Sequence, residues 1–332
     1  VHVFRKDGTA VPGFPASADS GFYFDMPPNI ADLDGDGKKE IMIGASPPQT
    51  NQKYRALYIF MSNGSQYPGW PVPKVRGYSM MDDTPAVADL NLDGRKDLVL
   101  FDAQGYLHAY QLDGTELNGF PKRYFNVSGE PSLTVTPSVS TADMDRDGIP
   151  EIAFGAYNKF YLFDNLGEML PGWPVNISLV NGSKPEFNNP GAFADADGDG
   201  NLEVFALVAG CCPFNSSIYG WKKDASVLPG WPQAAGRFFN DMPNFHALAT
   251  ADLDADGKDE VITATGGVRV FAGSGKMLWQ EQVRTFYATL YPTDASPALS
   301  DIDGDGKLEV ISLNGQSVKV IDDSGALYWE RQ

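Results

Sequence analysis

The hydrophobic pattern of this chain predicts short β-strands along its whole length. One kind of segment alternates between its two sides in the manner of a half-buried strand. These alternating segments begin at Leu57, Leu107, Phe160, Val268 and Val318. A second kind is continuously aliphatic and rich in β-formers, as at Ile41-Met42-Ile43, and a third is short and often follows a proline, as at Pro85. Because the three kinds recur in one fixed order, they predict a repeated all-β unit.

A nine-residue polar motif separates the short segment from the aliphatic one in every repeat. It reads Asp-x-(Asp/Asn)-x-Asp-Gly-x-x-(Asp/Glu), and an aliphatic residue follows it at once. The six copies begin at Asp32, Asp89, Asp143, Asp195, Asp252 and Asp301. Their separations of 57, 54, 52, 57 and 49 residues match the period of a repeated supersecondary unit.

The residue types in this motif are those of a calcium loop. Positions 1, 3, 5 and 9 carry carboxylates in every copy except at Asn91, whose amide oxygen also ligates. Position 6 is always glycine, where a sharp turn needs unusual backbone angles, and position 7 varies, as expected for a backbone carbonyl ligand. Carboxylates this crowded would repel one another without a hard divalent cation between them. All-oxygen ligation favours Ca²⁺ over zinc or copper, with Mg²⁺ as the weaker alternative.

The motif therefore predicts about six Ca²⁺ ions with a mainly structural role, because each ion would tie down a loop between two strands of one repeat. Solvated Asp-Gly turns without metal are the alternative. The predicted ligands, counting the backbone carbonyl at position 7, are Asp32, Asp34, Asp36, Lys38, Glu40, Asp89, Asn91, Asp93, Arg95, Asp97, Asp143, Asp145, Asp147, Ile149, Glu151, Asp195, Asp197, Asp199, Asn201, Glu203, Asp252, Asp254, Asp256, Lys258, Glu260, Asp301, Asp303, Asp305, Lys307 and Glu309.

An EF-hand begins in the same way but needs a bidentate Glu at position 12 and a following helix. Position 12 carries no acid in any copy. The residues there are Ile43, Leu100, Phe154, Ala206, Thr263 and Ser312. The loop therefore closes at position 9, and a strand is expected to follow it.

The repeated unit is completed by a turn and a fourth segment, which is frequently Pro-Gly-Trp-Pro, as at Pro68 to Pro71. Four antiparallel strands repeated at this period predict a β-propeller, which leaves only short sheet edges exposed. We expect one domain over 1–332. Its complete blades are expected at about 28–71, 85–121, 137–174, 190–232, 246–279 and 297–329.

The N-terminal residues 1–15 read as a further copy of the third and fourth strands alone. This partial blade favours a seven-bladed propeller whose missing inner strands lie upstream of Val1 or come from elsewhere. A six-bladed propeller with an extra hairpin is the alternative.

In these motifs and strands the chain resembles the FG-GAP and VCBS-type calcium-binding β-propellers, including the N-terminal propeller of integrin α subunits. The resemblance covers nearly the whole chain and implies a recognition or adhesion module. The calcium loops all join first to second strands and so share one face. The opposite face collects the second-to-third loops and is expected to bind the ligand, a glycan or an extracellular protein.

The formal charge of −18 does not indicate a repulsive acidic surface, because 23 of the 43 acidic residues are predicted metal ligands. Six Ca²⁺ ions would add twelve positive charges and bring −18 to −6. No basic patch suggests nucleic acid as a partner, and no apolar run is long enough to span a membrane.

An extracellular or cell-surface location is expected, because weak calcium sites stay filled there. Five Asn-x-Ser sequons fit a secreted glycoprotein. They lie at Asn63, Asn126, Asn176, Asn181 and Asn215. The two cysteines, Cys211 and Cys212, are adjacent, and a strained vicinal disulfide and two reduced thiols are equally open alternatives.

The segments between blades combine aromatic and acidic residues that suit a sugar or peptide site, although such rings also serve as packing between blades. The candidate ligand-binding residues are Tyr23, Asp25, Asp82, Asp83, Cys211, Cys212, Asn240 and Asp241. The tryptophans Trp70, Trp173 and Trp231 repeat in register and are expected to pack between blades, and His108 is expected to be a packing residue.

The leading hypothesis is a secreted, calcium-stabilised recognition module that binds a glycan, in the manner of a lectin, or a protein. No catalytic residues are assigned, because the sequence has no nucleophile elbow, zinc-binding helix or phosphate loop. A polysaccharide lyase or hydrolase on a propeller scaffold is the first alternative. A purely structural or adhesive segment of a longer protein is the second.

Overall fold

The computed structural model describes most of the chain and contains strands but no helix in the described residues. These residues are 1–5, 7–19, 21–24, 28–46, 54–76, 85–102, 105–124, 138–177, 185–187, 190–210, 215–237, 247–264, 267–281, 296–314 and 317–331. The predicted all-β class is confirmed. Within the described part of the chain there is accordingly no helix that could span a membrane.

The strands form six antiparallel sheets, each built from one sequence repeat. The first sheet contains β1 (Tyr23–Phe24), β2 (Asn29–Ala31), β3 (Glu40–Ser46), β4 (Tyr54–Phe60) and β5 (Val72–Arg76). The second contains β6 (Ala86–Ala88), β7 (Asp97–Phe101), β8 (Tyr106–Tyr110) and β9 (Lys122–Arg123). The third contains β10 (Val139–Ala142), β11 (Glu151–Ala156), β12 (Lys159–Phe163) and β13 (Val175–Asn176).

The remaining three sheets repeat this arrangement. The fourth sheet contains β14 (Pro185–Glu186), β15 (Ala192–Ala194), β16 (Glu203–Gly210), β17 (Asn215–Trp221) and β18 (Gln233–Arg237). The fifth contains β19 (Ala249–Ala251), β20 (Glu260–Thr263), β21 (Arg269–Phe271) and β22 (Met277–Gln280). The sixth contains β23 (Ala298–Ser300), β24 (Glu309–Asn314), β25 (Ser317–Ile321) and β26 (Leu327–Arg331).

Each sheet is a meander in which four strands pair in chain order, as predicted for a blade. Two of the sheets, the first and the fourth, are five-stranded because an extra two-residue strand pairs with the second strand of the blade. Tyr23 of β1 pairs with Ser46, and Pro185 of β14 pairs with Gly210, at the end of the second strand away from the polar motif.

The burial of the strands explains the hydrophobic pattern. The second strand β11 is buried at every residue, whereas the third strand β12 alternates between buried and partly exposed positions. A strand covered on both faces reads as a continuous apolar run, and a half-covered strand alternates. The aliphatic and alternating segments of the sequence therefore correspond to second and third strands.

Tryptophans connect consecutive blades. The Trp70 indole donates a hydrogen bond to the Leu112 carbonyl in the next blade at 2.8 Å, and the Trp231 indole donates to the Gly273 carbonyl at 2.8 Å. Trp70, Trp173 and Trp231 are buried, so the predicted packing role is confirmed. The Pro-Gly-Trp-Pro segment itself forms a turn, and the fourth strand begins just after it, at Val72 in the first blade.

The N-terminal residues form a hairpin that copies the outer half of a blade. The Val11 N–H donates to the Val3 carbonyl at 2.9 Å, which closes the hairpin. Gly13 lies so close to the first blade that a Cβ on it would be 1.7 Å from the Asn63 carbonyl oxygen. A Cβ on Gly69 would lie 2.0 Å from the Asp113 carbonyl oxygen in the same way. The described residues form six sheets, and the N-terminal hairpin adds only the isolated bridge between Phe4 and Ala10, so the count fits the six-bladed alternative.

The chain divides into two compact units, each packed mainly against itself. The first comprises residues 1–141 with 165–168, and the second comprises residues 142–164 with 169–332. The first and second blades lie in the first unit, and the fourth to sixth lie in the second. The division falls within β10 of the third blade.

Candidate metal centres

The six polar motifs occupy equivalent places in the six sheets. Each motif is the hairpin loop between the first and second strands of its blade, and its position 9 acid is the first residue of the second strand. The residue before the loop pairs with that acid, as in Ala31 with Glu40 and Ala251 with Glu260. Position 12 lies within the second strand in all six blades, so the exclusion of an EF-hand is confirmed.

The same three hydrogen bonds hold all six loops. The position 6 glycine N–H donates to the position 1 Asp Oδ2 at 2.8–3.2 Å. The position 7 N–H donates to the position 5 Asp Oδ1 at 2.7–2.9 Å. The position 2 N–H donates to the position 9 acid at 2.6–3.1 Å. These local side-chain bonds fix the direction of three carboxylates before any ion binds.

Position 4 of the loop is a conformational requirement that the motif alone did not reveal. Its φ is positive in all six copies, with glycine in three loops and Leu92 (58°), Arg146 (55°) and Ala255 (63°) in the others. Left-handed backbone costs a residue with a Cβ roughly 1–2 kcal/mol. Glycine at three copies of one position was the available signal, because the repeats can be compared with one another.

The position 9 acids are buried although they are carboxylates, with exposed fractions of 1–3%. Burial raises the pKa of Glu203 and of Glu260 to about 7, and that of Asp97 to about 6. A carboxylate is withdrawn from water at this cost only where a partner compensates its charge. The position 2 N–H is one partner, and a bound cation would be the other.

Five of the six loops bring three carboxylates within 4.8 Å of one another. The second loop, with Asn91 at position 3, does not form such a group among the described residues. In the fourth loop Asp195 Oδ1 is buried without a hydrogen-bond partner in the described part of the chain. A buried carboxylate oxygen that no donor reaches fits a cation ligand, so the chain's own residues fit a hard divalent ion.

Neighbouring loops are hydrogen-bonded to one another through position 8. The Lys96 N–H donates to the Leu33 carbonyl at 3.3 Å, and the Asp259 N–H donates to the Asp195 carbonyl at 3.0 Å. The Asp259 carboxylate in turn accepts the Asp195 N–H at 2.8 Å. The fourth and fifth loops are therefore held directly against each other.

Two lysines reach into loops of the second unit, and nothing in the sequence pattern indicated them. Lys222 Nζ lies 2.7 Å from Asp197 Oδ2, 3.4 Å from Asp199 Oδ2 and 3.8 Å from Glu203 Oε1. The hydrogen bond to Asp197 is the main cause of the raised pKa of Lys222.

Lys223 lies next to Lys222 in the chain but contacts the third loop. Its Nζ is 2.7 Å from Asp145 Oδ2 and 2.8 Å from Glu151 Oε1. These two carboxylates hold positions 3 and 9 of that loop, and both belong to its three-carboxylate group.

The other sequence candidates are not assembled into a ligand site by the described residues. Tyr23 is exposed, and the sequon residues Asn63 and Asn176 are exposed as well. Asn215 is the first residue of β17. The candidates that lie outside the described residues are Asp25, Asp82, Asp83, Asn126, Asn181, Cys211, Cys212, Asn240 and Asp241.

His108 is part of a charged cluster and is more than a packing residue. Its Nδ1 lies 2.7 Å from Glu116 Oε1, and its Nε2 lies 3.5 Å from Asp102 Oδ2. Burial alone would lower the pKa of His108, but hydrogen bonds and attraction to these two carboxylates outweigh it and raise that pKa. The imidazole therefore lies between two carboxylates of the second blade.

The FG-GAP-like repeat model matches residues 32–100, 89–154, 143–206 and 252–312, which together cover more than half of the chain. The chain belongs to the FG-GAP-like repeat family. Each match runs from position 1 of one motif to position 12 of the next, so the family repeat is the loop-to-loop unit described above. No curated protein matches this FG-GAP chain in sequence.

Solved structures of other proteins resemble it at low identity. BBS1N, a propeller solved in complex with ARL6DN, is 14% identical over 97% of this chain and 84% of that chain, with a TM-score of 0.51. An Agrocybe aegerita lectin that recognises non-reducing terminal N-acetylglucosamine is 17% identical over 92% of this chain and 79% of that chain, with a TM-score of 0.52.

The rhamnogalacturonan lyase YesW is 15% identical over 99% of this chain, with a TM-score of 0.46. The FG-GAP chain spans 52% of the length of that lyase. At these identities BBS1N and the lectin bear on the fold alone, and the six sheets, each a meander of four strands, together with the likeness to BBS1N establish the β-propeller class.

Proposed function

We propose that this FG-GAP chain is a calcium-stabilised recognition module. The observation that carries the proposal is the buried position 9 acid, which recurs in all six loops beside carboxylates already oriented by backbone N–H groups. Such a loop is built to hold an ion and leaves none of its carboxylates available as a general acid or base, because coordination keeps them ionised.

Calcium is the ion that this donor set favours. Carboxylate and carbonyl oxygens in a flexible loop suit the six to eight ligands of Ca²⁺ better than the strict octahedron of Mg²⁺. The ion would supply the positive charge that offsets the four ligand carboxylates of a loop such as Asp252 to Glu260. The chain's own contribution is to join the first and second strands around that charge, and thereby to stabilise the blade.

Glycans are the first ligand class to test, and an extracellular protein is the second. The lectin with a similar fold recognises terminal N-acetylglucosamine, and BBS1N was solved with a protein partner. We propose an extracellular location for either ligand class, since millimolar calcium outside the cell fills loops of modest affinity. The exposed sequons at Asn63 and Asn176 are accessible for glycosylation in that compartment.

The test combines calcium binding with ligand binding. Isothermal calorimetry of the chelator-treated protein should show calcium binding at several sites, and a glycan array in calcium should show selective binding that is lost in EDTA. If the protein binds calcium but binds no glycan on the array, the ligand is a protein. No calcium binding by calorimetry would contradict the proposal itself.

A further inference from the structure

The turn between the third and fourth strands has the same form in the fourth and fifth blades. It closes with a hydrogen bond from Ala225 N–H to the Lys222 carbonyl at 2.9 Å and from Gly275 N–H to the Ala272 carbonyl at 2.8 Å. Lys222 directly follows β17, and Ala272 directly follows β21. These two residues are therefore structural counterparts at the first position of the turn.

The second residue of the turn is identified by the tryptophan of the preceding blade. The Trp173 indole donates to the Lys223 carbonyl at 2.8 Å, and the Trp231 indole donates to the Gly273 carbonyl at the same distance. Lys223 and Gly273 are therefore counterparts as well.

The two turn positions face different metal loops. The first faces the loop of its own blade, since Lys222 Nζ contacts Asp197 and Asp199 of the fourth loop. The second faces the loop of the preceding blade, since Lys223 Nζ contacts the third loop. Gly273 obeys the same rule, because a Cβ there would lie 1.7 Å from the Ala196 carbonyl oxygen in the fourth loop.

We infer that Lys222 and Lys223 are tethered cations that compete with calcium for the fourth and third loops, so these two sites bind calcium more weakly than the fifth. The inference rests on the proposed calcium function. An ion held by Asp197, Asp199 and Glu203 needs the oxygens that the Lys222 ammonium contacts, and it must displace that ammonium to bind them. Among the described residues no lysine forms an ion pair with a fifth-loop carboxylate, and the Lys307 ammonium attracts Asp254 only from a greater distance.

The size of the effect follows from the exposure of the pairs. The Lys222 and Lys223 side chains are 38% and 31% exposed, whereas Glu203 and Glu151 are almost fully buried. Partly exposed pairs of this kind contribute modestly, so displacing each lysine should weaken calcium binding roughly three- to tenfold.

A site-resolved calcium titration tests this inference. The position 6 amides of Gly148, Gly200 and Gly257 donate to the position 1 carboxylates of the third, fourth and fifth loops at 2.9–3.0 Å. Selective ¹⁵N-glycine labelling makes each amide an NMR reporter of its own loop, assigned by replacing the aspartate beside it. The Gly257 signal should reach its midpoint at the lowest calcium concentration.

One variant removes the lysine from the turn of the fourth blade, and another introduces a lysine at the counterpart position of the fifth blade. Lys222→Met should lower the Gly200 midpoint roughly three- to tenfold and leave Gly257 unchanged, whereas Ala272→Lys should raise the Gly257 midpoint. Lys276→Met removes an exposed lysine from the same turn of the fifth blade and should move neither. In EDTA, Lys222→Met should also lower the melting temperature, because the apo loop loses the Lys222 ammonium, while the Arg146 guanidinium, 3.6 Å from Asp195 Oδ2, is present in both proteins.

The outcomes separate the two claims. A normal Gly257 titration with an unchanged Gly200 midpoint in Lys222→Met overturns the lysine inference and leaves calcium binding intact. An equal Gly200 shift in Lys276→Met also overturns it, since the effect would then be general charge. If Lys222→Met does not fold, the direction of the Gly257 shift in Ala272→Lys decides. Absence of any calcium-dependent shift in the wild-type chain contradicts the proposed function.

Discussion

The fourth and fifth metal loops are alike in the motif and different in what surrounds it. In both, the position 6 amide lies 3.0 Å from the position 1 carboxylate, and burial raises the pKa of the position 9 glutamate to about 7. The fourth loop has the Lys222 ammonium against it, whereas Ala272 occupies the counterpart position in the fifth blade. The motif therefore sets the geometry of a loop, and a turn some twenty residues later sets its charge balance.

The largest expected effect is that of chelation, which should expose the difference between the two loops. Removing calcium with EDTA should lower the melting temperature by roughly 10 °C or more, because several sites each contribute a few kcal/mol when filled. In the apo protein the fourth loop keeps the Lys222 ammonium in contact, whereas no described lysine forms an ion pair with the fifth loop. Hydrogen exchange should therefore rise more at Gly257 than at Gly200, as measured by mass spectrometry or NMR.

Restoring calcium provides the control for that experiment. The melting temperature and both exchange rates should return to their starting values when calcium is added back in excess of the chelator. A melting temperature that EDTA does not change would contradict a structural role for the ion. Equal exchange at the two glycines would remove the distinction between the loops.

A smaller effect is expected from removing one carboxylate of each loop. Asp256→Asn should destabilise the calcium-loaded protein by about 2 kcal/mol, because a site filled well above its dissociation constant contributes about that much. Asp199→Asn should cost less, since the fourth site binds more weakly and is less saturated at the same calcium concentration. Denaturant unfolding at fixed calcium measures both. In EDTA the loss for Asp256→Asn should largely disappear, whereas Asp199→Asn still removes a partner of the Lys222 ammonium.

The architecture could be predicted from the sequence because it repeats. Six copies of a motif at a nearly constant spacing indicate the blades, and the absence of an acid at positions such as Phe154 excludes the EF-hand. The burial of Glu203 and Glu260 at position 9 also follows from the motif, because this acid opens a strand that is covered on both faces.

The charge balance of individual loops could not be predicted in the same way. Lys222 and Lys223 are neighbours in the chain, yet one contacts the loop of its own blade and the other contacts the loop of the blade before it. That difference arises from the direction in which successive turn residues point across a packed interface between blades. The sequence pattern within one repeat does not indicate this direction. In the structure, the Trp173 hydrogen bond to the Lys223 carbonyl identifies the turn position of Lys223.

The smallest expected effect concerns the backbone at position 4, where the same two loops differ again. Gly198 has φ 76° in the fourth loop, and Ala255 adopts φ 63° in the fifth. Ala255→Gly should stabilise the protein by about 0.5–1 kcal/mol, since relief of left-handed strain exceeds the added flexibility of the unfolded chain.

Gly198→Ala should cost about 1 kcal/mol for the same reason. Its Cβ would meet the Lys258 side chain at 3.2 Å, and that flexible chain can move aside. Denaturant midpoints of the two variants, with calcium in excess, measure both changes. Opposite signs are expected, and a destabilised Ala255→Gly would show that the loop's own hydrogen bonds already absorb the strain.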